Sequence, residues 1–191
     1  MDNNEQTALL VMDVQGATVK GLKENEKETF FASLQKAISA ARKNKILVMY
    51  VVVGFRKGYP EVSSNNKMFS SILSGTRSFD KEEDYKVAEQ VAPQNAEIVI
   101  TKKRVSAFAG SDLEVILRAQ KINHIVLAGI ATSGVVLSTL REAADKDYAI
   151  TVLSDCCADR DEEVHRVLTT KVFPRQADVM TADQWSSQLA K

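Results

Sequence analysis

The chain has 191 residues, of which 45% are hydrophobic and 26% are charged, a composition that excludes an intrinsically disordered protein. Its 25 basic and 25 acidic residues give a formal net charge of zero, which argues against a nucleic-acid-binding protein. We therefore expect one globular domain spanning 1–191, with no nucleic-acid or membrane partner.

Apolar runs of strand length alternate with segments of helical periodicity along the chain. The runs lack polar alternation, which is typical of parallel strands covered by helices on both faces. In chain order we predict a strand at 8–12, a helix at 30–42, strands at 46–53 and 98–101, a helix at 112–120, a strand at 124–128, a helix at 135–145, a strand at 149–153, a helix at 162–172 and a strand at 177–180. This order predicts a doubly wound, Rossmann-like three-layer α/β/α domain with a mainly parallel sheet of about six strands.

Residues 54–80 interrupt this alternation after the second predicted strand. The segment is rich in Ser, Asn, Gly and Lys, and structureless insertions of this length are usually functional or mobile. Ligands of doubly wound folds meet the carboxyl ends of the strands. We therefore expect 54–80 to be a long loop that arches over a site at that edge of the sheet.

Asp13 directly follows the first predicted strand. A carboxylate at the carboxyl end of an apolar strand lies where such folds bind ligands, and it could serve as a general acid or base. The alternative is that Asp13 caps the following turn or helix. The sequence around this position leaves both interpretations open.

Three basic residues, Lys102, Lys103 and Arg104, follow the third predicted strand. A lysine at this end of the sheet could hold a neighbouring carboxylate ionised or orient a substrate carbonyl or carboxylate. The alternative is a solvated cluster of surface charges.

The segment after the fourth predicted strand favours an anion site. Thr132 or Ser133 is predicted to cap a helix that begins near Gly134, and the free amides of that helix start are predicted to bind an anion or oxyanion. The segment lacks the Lys-Ser or Lys-Thr of a phosphate-binding loop and the Gly-x-Ser-x-Gly of a serine nucleophile elbow. Ser133 as a nucleophile remains an alternative, with His124 and His165 the only histidines in the chain.

The cysteines and the first residues predict the compartment. The only two cysteines, Cys156 and Cys157, are adjacent, and neighbouring cysteines rarely have the geometry of a mutual disulfide. They follow the fifth predicted strand and are interpreted as small core residues. The first six residues lead into an apolar run without the basic segment of a secretory signal. Together these features predict a cytoplasmic protein.

These segments, in this order, resemble the isochorismatase-like cysteine hydrolases over nearly the whole chain. Asp13 and Gln15 match the Asp-x-Gln of that family, and Lys102 with Arg104 matches its Lys-x-Arg-x-Ser-x-Phe. The family's Gly-x-x-Thr-x-x-Cys-Val matches Gly-Ile-Ala-Thr-Ser-Gly-Val-Val, with the cysteine position falling on Val135. The resemblance implies a cis peptide between Ile130 and Ala131. It also implies catalytic positions at Asp13, Lys102 and Val135, and substrate contacts from Gln15, Arg104, Ile130, Ala131 and Gly134.

The valine changes the chemistry that the resemblance implies. In the family the aspartate deprotonates the cysteine, the lysine assists, and amides hold the oxyanion of a covalent route. Valine has no nucleophilic atom. The family's isochorismatases also lack the cysteine and cleave a vinyl ether, with the aspartate as the acid. Arg56, Lys102 and Arg104 are candidate cations for a dianionic substrate of that kind.

Two functional hypotheses remain in view. The first is a hydrolase that acts on a small carbonyl or enol-ether metabolite by a non-covalent Asp/Lys mechanism. The second is a catalytically silent family member that keeps the pocket for ligand binding or assembly. A dinucleotide-binding oxidoreductase is disfavoured because no Gly-x-Gly-x-x-Gly turn follows the first strand.

The resemblance also bears on metals, cofactors and assembly. The family's nicotinamidases hold a metal through an Asp-x-His pair and a later histidine, and this chain has no histidine between Met1 and Asn123. We therefore expect no metal site and no cofactor. The resemblance implies a homodimer or homotetramer with the pocket near an interface.

Overall fold

The computed structural model describes residues 6–75 and 81–190, and it places six strands in one sheet. All paired strands run parallel, in the order β3-β2-β1-β4-β5-β6. The predicted α/β fold with a parallel sheet of about six strands is therefore confirmed. The strands are β1 Thr7–Met12, β2 Leu47–Val53, β3 Ile98–Lys102, β4 His124–Ile130, β5 Ala149–Ala158 and β6 Asp178–Met180.

Eight α-helices connect and cover these strands within the described residues. The four predicted helical segments are all found. Four helices were not predicted: three of them have four residues and are too short to show a helical period, and the fourth is the helix Ala182–Leu189 near the end of the chain. None of the helices in the described ranges has both the length and the apolar composition needed to cross a membrane. The helices are α1 Gly16–Val19, α2 Glu24–Lys43, α3 Ser70–Leu73, α4 Glu82–Tyr85, α5 Leu113–Ala119, α6 Leu137–Asp145, α7 Glu162–Val167, which continues as a wider turn through Leu168–Val172, and α8 Ala182–Leu189.

The sheet is covered on both faces because its strands are apolar on both sides. Alternate residues of β1 point to opposite faces. Leu10 packs in one buried cluster with α5 and with Leu140 of α6. Leu9 packs in a second cluster with Leu34 of α2 and Trp185 of α8. The predicted three layers follow from these two clusters.

β1 and β4 are neighbours at the centre of the sheet, and the chain winds outward from them in opposite directions. In such folds a crevice opens at the carboxyl ends of these two strands. Gly129 of β4 pairs with Met12 of β1 and has a φ of 150°. A Cβ at Gly129 would lie 2.1 Å from the Met12 carbonyl oxygen, so a larger residue would push apart the strand ends that border the crevice.

β5 is longer than the sequence pattern predicted. It runs to Ala158 rather than ending at residue 153, so Cys156 and Cys157 lie inside the strand and not after it. The pairing of β5 with β4 shifts register between Leu127 and Gly129 of β4 and then continues to Ala158. The pattern of hydrophobic residues within β5 does not show this continuation. Both thiols are free and buried, which confirms them as core residues, and burial raises the pKa of each.

The segment 54–80 is only partly the structureless loop that was predicted. It contains α3, which forms because Phe69 and Ile72 are buried in a small apolar cluster with Val53 at the end of β2. The segment does reach the crevice, where Met68 and Phe69 line a cavity. Residues 76–80 lie outside the described residues.

Candidate active site

A cavity of about 290 Å³ opens at the carboxyl ends of the central strands. It brings together six of the eight predicted site residues, although they are far apart in sequence. The prediction that Asp13, Lys102 and Val135 converge on one pocket at this edge of the sheet is confirmed. The six are Asp13, Lys102, Ile130, Ala131, Gly134 and Val135.

Asp13 occupies the tight turn that follows β1. Its φ of 54° lies in the left-handed region, which aspartate tolerates better than most residues. Its backbone N–H donates to the Val51 carbonyl at 2.7 Å, and the Thr18 hydroxyl donates to its carbonyl. The N-cap of α1 is Gln15, so the carboxylate of Asp13 does not cap that helix. It turns instead toward the cavity.

Lys102, the last residue of β3, reaches Asp13 across the end of β2. Its Nζ lies 2.9 Å from Asp13 Oδ2, and the two side chains are 1% and 9% exposed. Nζ also donates to the Arg104 carbonyl at 2.8 Å. These two acceptors take two of the three ammonium protons, which leaves one for a ligand in the cavity. The alternative of a solvated charge cluster is wrong for Lys102.

The turn after β4 differs from the predicted helix start. α6 begins at Leu137 rather than near Gly134, whose φ of −98° and ψ of −105° are not helical. Neither predicted cap forms. The Thr132 hydroxyl hydrogen-bonds His165 Nδ1 at 2.8 Å, and the Ser133 N–H donates to the Asp159 carboxylate at 2.7 Å.

The same turn leaves fewer backbone amides for the predicted oxyanion site. The Gly134 N–H donates to the Ala131 carbonyl at 3.0 Å, so the amides of Ser133 and Gly134 both have protein acceptors and are not available to an oxyanion. The prediction of a site built from free helix-start amides is wrong for these two positions. The predicted cis peptide at Ile130–Ala131 is confirmed. Val135 lines the cavity and is 2% exposed.

His165 is the histidine that comes near this turn. It is half-buried, and burial lowers its pKa. Because its Nδ1 is engaged by Thr132 rather than by Ser133, the structure offers no support for a Ser133–His165 nucleophile pair.

The predicted substrate contact from Gln15 is wrong. Its side chain is fully buried, with Nε2 donating to the carbonyls of Val53 at 3.0 Å and Asp84 at 2.7 Å. Its Oε1 accepts the Val53 N–H at 2.8 Å. Both amide protons are used within the protein, so Gln15 fastens the turn after β1 to β2 and α4 and does not face the cavity.

The predicted substrate contacts of two arginines, Arg104 and Arg56, are also wrong. Arg104 is not among the residues lining the cavity, because its guanidinium folds back onto the backbone and donates to the Lys103 carbonyl at 2.7 Å. Arg104 contributes its backbone carbonyl, which holds Lys102. Arg56 is exposed and pairs with Glu61 at 2.5 Å, also away from the cavity lining.

Sequence reasoning missed two charged residues of the cavity, Asp159 and Arg160. They follow β5 directly and therefore reach the same edge of the sheet as Asp13 and Lys102. Ending the fifth strand at 158 instead of 153 would have identified them. Thr18, Leu22 and the loop residue Met68 also line the cavity without having been predicted individually.

Within 6–75 and 81–190, no group of three or more His, Cys, Asp or Glu side chains is arranged to hold a metal ion. The expectation of no metal site and no cofactor stays a prediction from the sequence.

Comparisons with known proteins agree with this geometry. The model of the isochorismatase domain family matches residues 7–184. The chain is 31% identical over 170 residues to the ureidoacrylate amidohydrolase RutB of Stutzerimonas stutzeri, covering 78% of this chain and 68% of that protein.

Two solved structures share the fold over almost their whole length. An isochorismatase family protein from Burkholderia thailandensis superimposes with a TM-score of 0.86 at 28% identity, covering 98% of this chain and 97% of the other. The N-carbamoylsarcosine amidase of Thermoplasma acidophilum superimposes with a TM-score of 0.76 at 25% identity, covering 93% and 97%. The resemblance seen in the motifs is thus confirmed, and the chain belongs to the isochorismatase family of hydrolases.

Proposed function

We propose that this protein hydrolyses a small carbonyl or enol-ether metabolite, using Asp13 and Lys102 without a covalent intermediate. The observation that carries the proposal is the buried Asp13–Lys102 ion pair, 2.9 Å long, at the base of a cavity. Among the residues that line this cavity in the described chain there is no thiol, because Val135 stands where we place the family's nucleophile. We also propose one domain over 1–191, a cytoplasmic location and a homodimer or homotetramer.

In the proposed mechanism Asp13 moves the proton and Lys102 stabilises charge. With a carbonyl substrate, Asp13 accepts a proton from a water molecule as the water attacks the carbonyl carbon, and it returns that proton to the leaving group. The remaining N–H of Lys102 donates to the oxygen on which negative charge develops. With an enol ether, Asp13 instead acts in its protonated form and donates that proton to the enol carbon. Water adds to the oxocarbenium carbon that forms and gives a proton back to the Asp13 carboxylate, and the hemiketal collapses by cleavage of its C–O bond to a carbonyl compound and an alcohol.

The relatives favour amide-like carbonyls as the first substrates to test. One similar protein is named for ureidoacrylate and another for N-carbamoylsarcosine. A cavity of about 290 Å³ is at the small end of ligand sites, which suits metabolites of this size. Leu22, Val53 and Phe69 would cover the apolar part of such a molecule.

A second candidate function is supported by Val135 itself. The side chain is 2% exposed and belongs to the buried cluster that contains Leu140, so it fills space as a core residue does. A family member with this packing can retain the cavity for ligand binding or assembly without turnover.

A turnover screen of isochorismate against ureidoacrylate, N-carbamoylsarcosine and other small amides separates these candidates. The parent is compared with Asp13→Asn and with the double variant Cys156→Ala, Cys157→Ala. We expect the cysteine-free variant to keep its activity, and Asp13→Asn to lose activity by about 10²- to 10⁴-fold because proton transfer is removed. Activity that disappears with the cysteines but survives Asp13→Asn overturns the mechanism. A folded parent that is silent on the whole panel supports the binding function instead.

A further inference from the structure

A second cavity lies at the opposite edge of the sheet, beside α8. Its volume is about 380 Å³, and Thr7 and His124, the first residues of β1 and β4, line it together with Trp185 of α8. β4 runs from His124 at this cavity to Ile130 at the other, and its seven residues separate the two cavities by roughly 20 Å. The proposed chemistry at Asp13 therefore does not use this second cavity.

A row of polar side chains crosses four neighbouring strands at this cavity. Thr7 of β1 pairs in register with His124 of β4, and Thr151 of β5 pairs in register with Asp178 of β6. His124 joins the two pairs, since its Nε2 lies 2.9 Å from Thr151 Oγ1 and its Nδ1 lies 3.4 Å from Thr7 Oγ1. Two residues further along β1, the same face of the sheet carries Leu9 of the buried cluster. The polar row thus ends where the apolar core begins, and all four of its residues line the cavity.

The charge of this cavity is negative. Among the described residues that line it, Asp178 is the only one whose side chain carries a full charge at neutral pH. Burial lowers the pKa of His124, against a smaller opposing effect of the Asp178 charge, so the imidazole is neutral there. Asp178 forms no ion pair with a basic side chain in 6–75 or 81–190. A cleft with a single uncompensated negative charge favours a cationic ligand.

The other wall of the cavity is apolar and contains the only tryptophan of the chain. Trp185 is 3% exposed and is held in the buried cluster that includes Leu34 of α2. Ile46, Met180 and Leu189 line the cavity with it. The face of a tryptophan ring attracts cations as well as apolar groups. The lining therefore suits a ligand with a cationic end and an apolar body.

We propose that this cavity binds a primary ammonium ion with a small apolar tail. The ammonium has three protons to donate, and the Asp178 carboxylate and the Thr151 hydroxyl oxygen, neighbours in register, accept two of them. The tail packs against Trp185 and Met180. A quaternary ammonium has no proton for these acceptors and is bound best by a cage of several aromatic rings, whereas Trp185 is the one aromatic residue in the described lining.

Binding of a matched pair of probes to the full chain tests the proposal. Isopentylamine is protonated at neutral pH, and isopentanol is its uncharged analogue of almost the same shape. Both are transparent where tryptophan absorbs, so the fluorescence of Trp185 and its single indole signal in a nitrogen–proton NMR spectrum report binding at this cavity. We expect the Kd of the amine to be roughly tenfold lower than that of the alcohol, the lower end of what a charged hydrogen bond contributes.

Substitutions at position 178 should remove this preference. Asp178→Asn deletes the charge with almost no change in shape and should bring the two dissociation constants within roughly twofold of each other. Asp178→Ser deletes the same charge with a smaller side chain and should have the same effect. Asp145→Asn removes a charge from an exposed residue at the end of α6, outside the linings of both cavities, and should behave as the parent. Circular dichroism verifies that each variant is folded.

Equal affinities of the parent for the two probes overturn this inference, as does a parent that binds neither. A preference for the amine that survives both substitutions at position 178 also overturns it. So does binding that leaves the fluorescence and the indole signal of Trp185 unchanged, because the amine then occupies another site. These outcomes do not depend on the substrate screen, since Asp13 and Lys102 lie at the other edge of the sheet.

Discussion

Replacing both Asp13 and Lys102 is expected to destabilise the fold by less than the sum of the two single replacements. In Lys102→Met the Asp13 carboxylate loses its cation, and in Asp13→Asn the Lys102 ammonium loses its carboxylate. The double variant leaves neither charge. Asparagine suits position 13 because it tolerates the left-handed backbone conformation that Asp13 adopts, so the change tests charge and not backbone strain.

The magnitude follows from the burial of the pair. With side chains only 1% and 9% exposed and 2.9 Å between Nζ and Oδ2, solvent cannot compensate a missing partner. Breaking a buried pair by removing one partner costs about 3–5 kcal/mol of the free energy of unfolding. For a chain of this length each kcal/mol lowers Tm by roughly 2–4 °C. A loss of 3 kcal/mol therefore corresponds to a Tm lower by roughly 6–12 °C.

Urea denaturation followed by far-UV circular dichroism measures the four corners of this double-mutant cycle. We expect the double variant to lose less stability than the sum of the single variants, with a coupling energy of about 2 kcal/mol or more. Lys36→Met is the control, since it breaks the pair of Lys36 with Asp183, whose side chains are 53% and 73% exposed. That exposed pair is screened by solvent, so the urea midpoint should not change measurably.

Additive effects would refute this reasoning. If the losses of Asp13→Asn and Lys102→Met sum to that of the double variant, the two charges do not stabilise each other. Single variants as stable as the parent would show that water reaches the pair, contrary to its burial.

Three further outcomes are expected. Cys156 and Cys157 should resist a thiol reagent in the folded protein and react fully in urea, because burial raises both pKa values; rapid native labelling contradicts this. Val135 lines the cavity whereas Cys156 and Cys157 do not, so Val135→Cys should add one cysteine that small iodoacetamide reaches through the cavity in the folded protein, and an assay with small amides then measures whether hydrolysis is gained. Burial lowers the pKa of His124 below its ordinary value of about 6.5. Below pH about 6.5 the unfolded chain therefore binds more protons at His124 than the folded protein does, so the free energy of unfolding should fall as the pH drops through this range. Urea titrations at several pH values measure this fall, which should be smaller in His124→Gln.

The layered fold and six of the cavity residues were predictable because their signals are local in the sequence. The run that forms β1 is apolar at every position and does not alternate with polar residues. Such a run indicates a strand that is buried on both faces, whatever its place in the chain. A polar residue at the end of such a strand must reach the ligand-binding edge of a doubly wound sheet. Asp13 and Lys102 were found in this way. The other four, Ile130, Ala131, Gly134 and Val135, were found through the family motif after β4.

The use of each polar side chain was decided only by the tertiary structure. Gln15 stands two residues from Asp13, yet its hydrogen bonds go to Val53 and Asp84, which are close only because β1 lies beside β2 and α4 packs against the turn. Arg160 was missed because β5 extends through an irregular pairing with β4 that no local pattern encodes. Hydrophobic periodicity specifies which face of an element is buried, whereas the partner of a polar group depends on which distant segments the strand order brings within hydrogen-bonding distance.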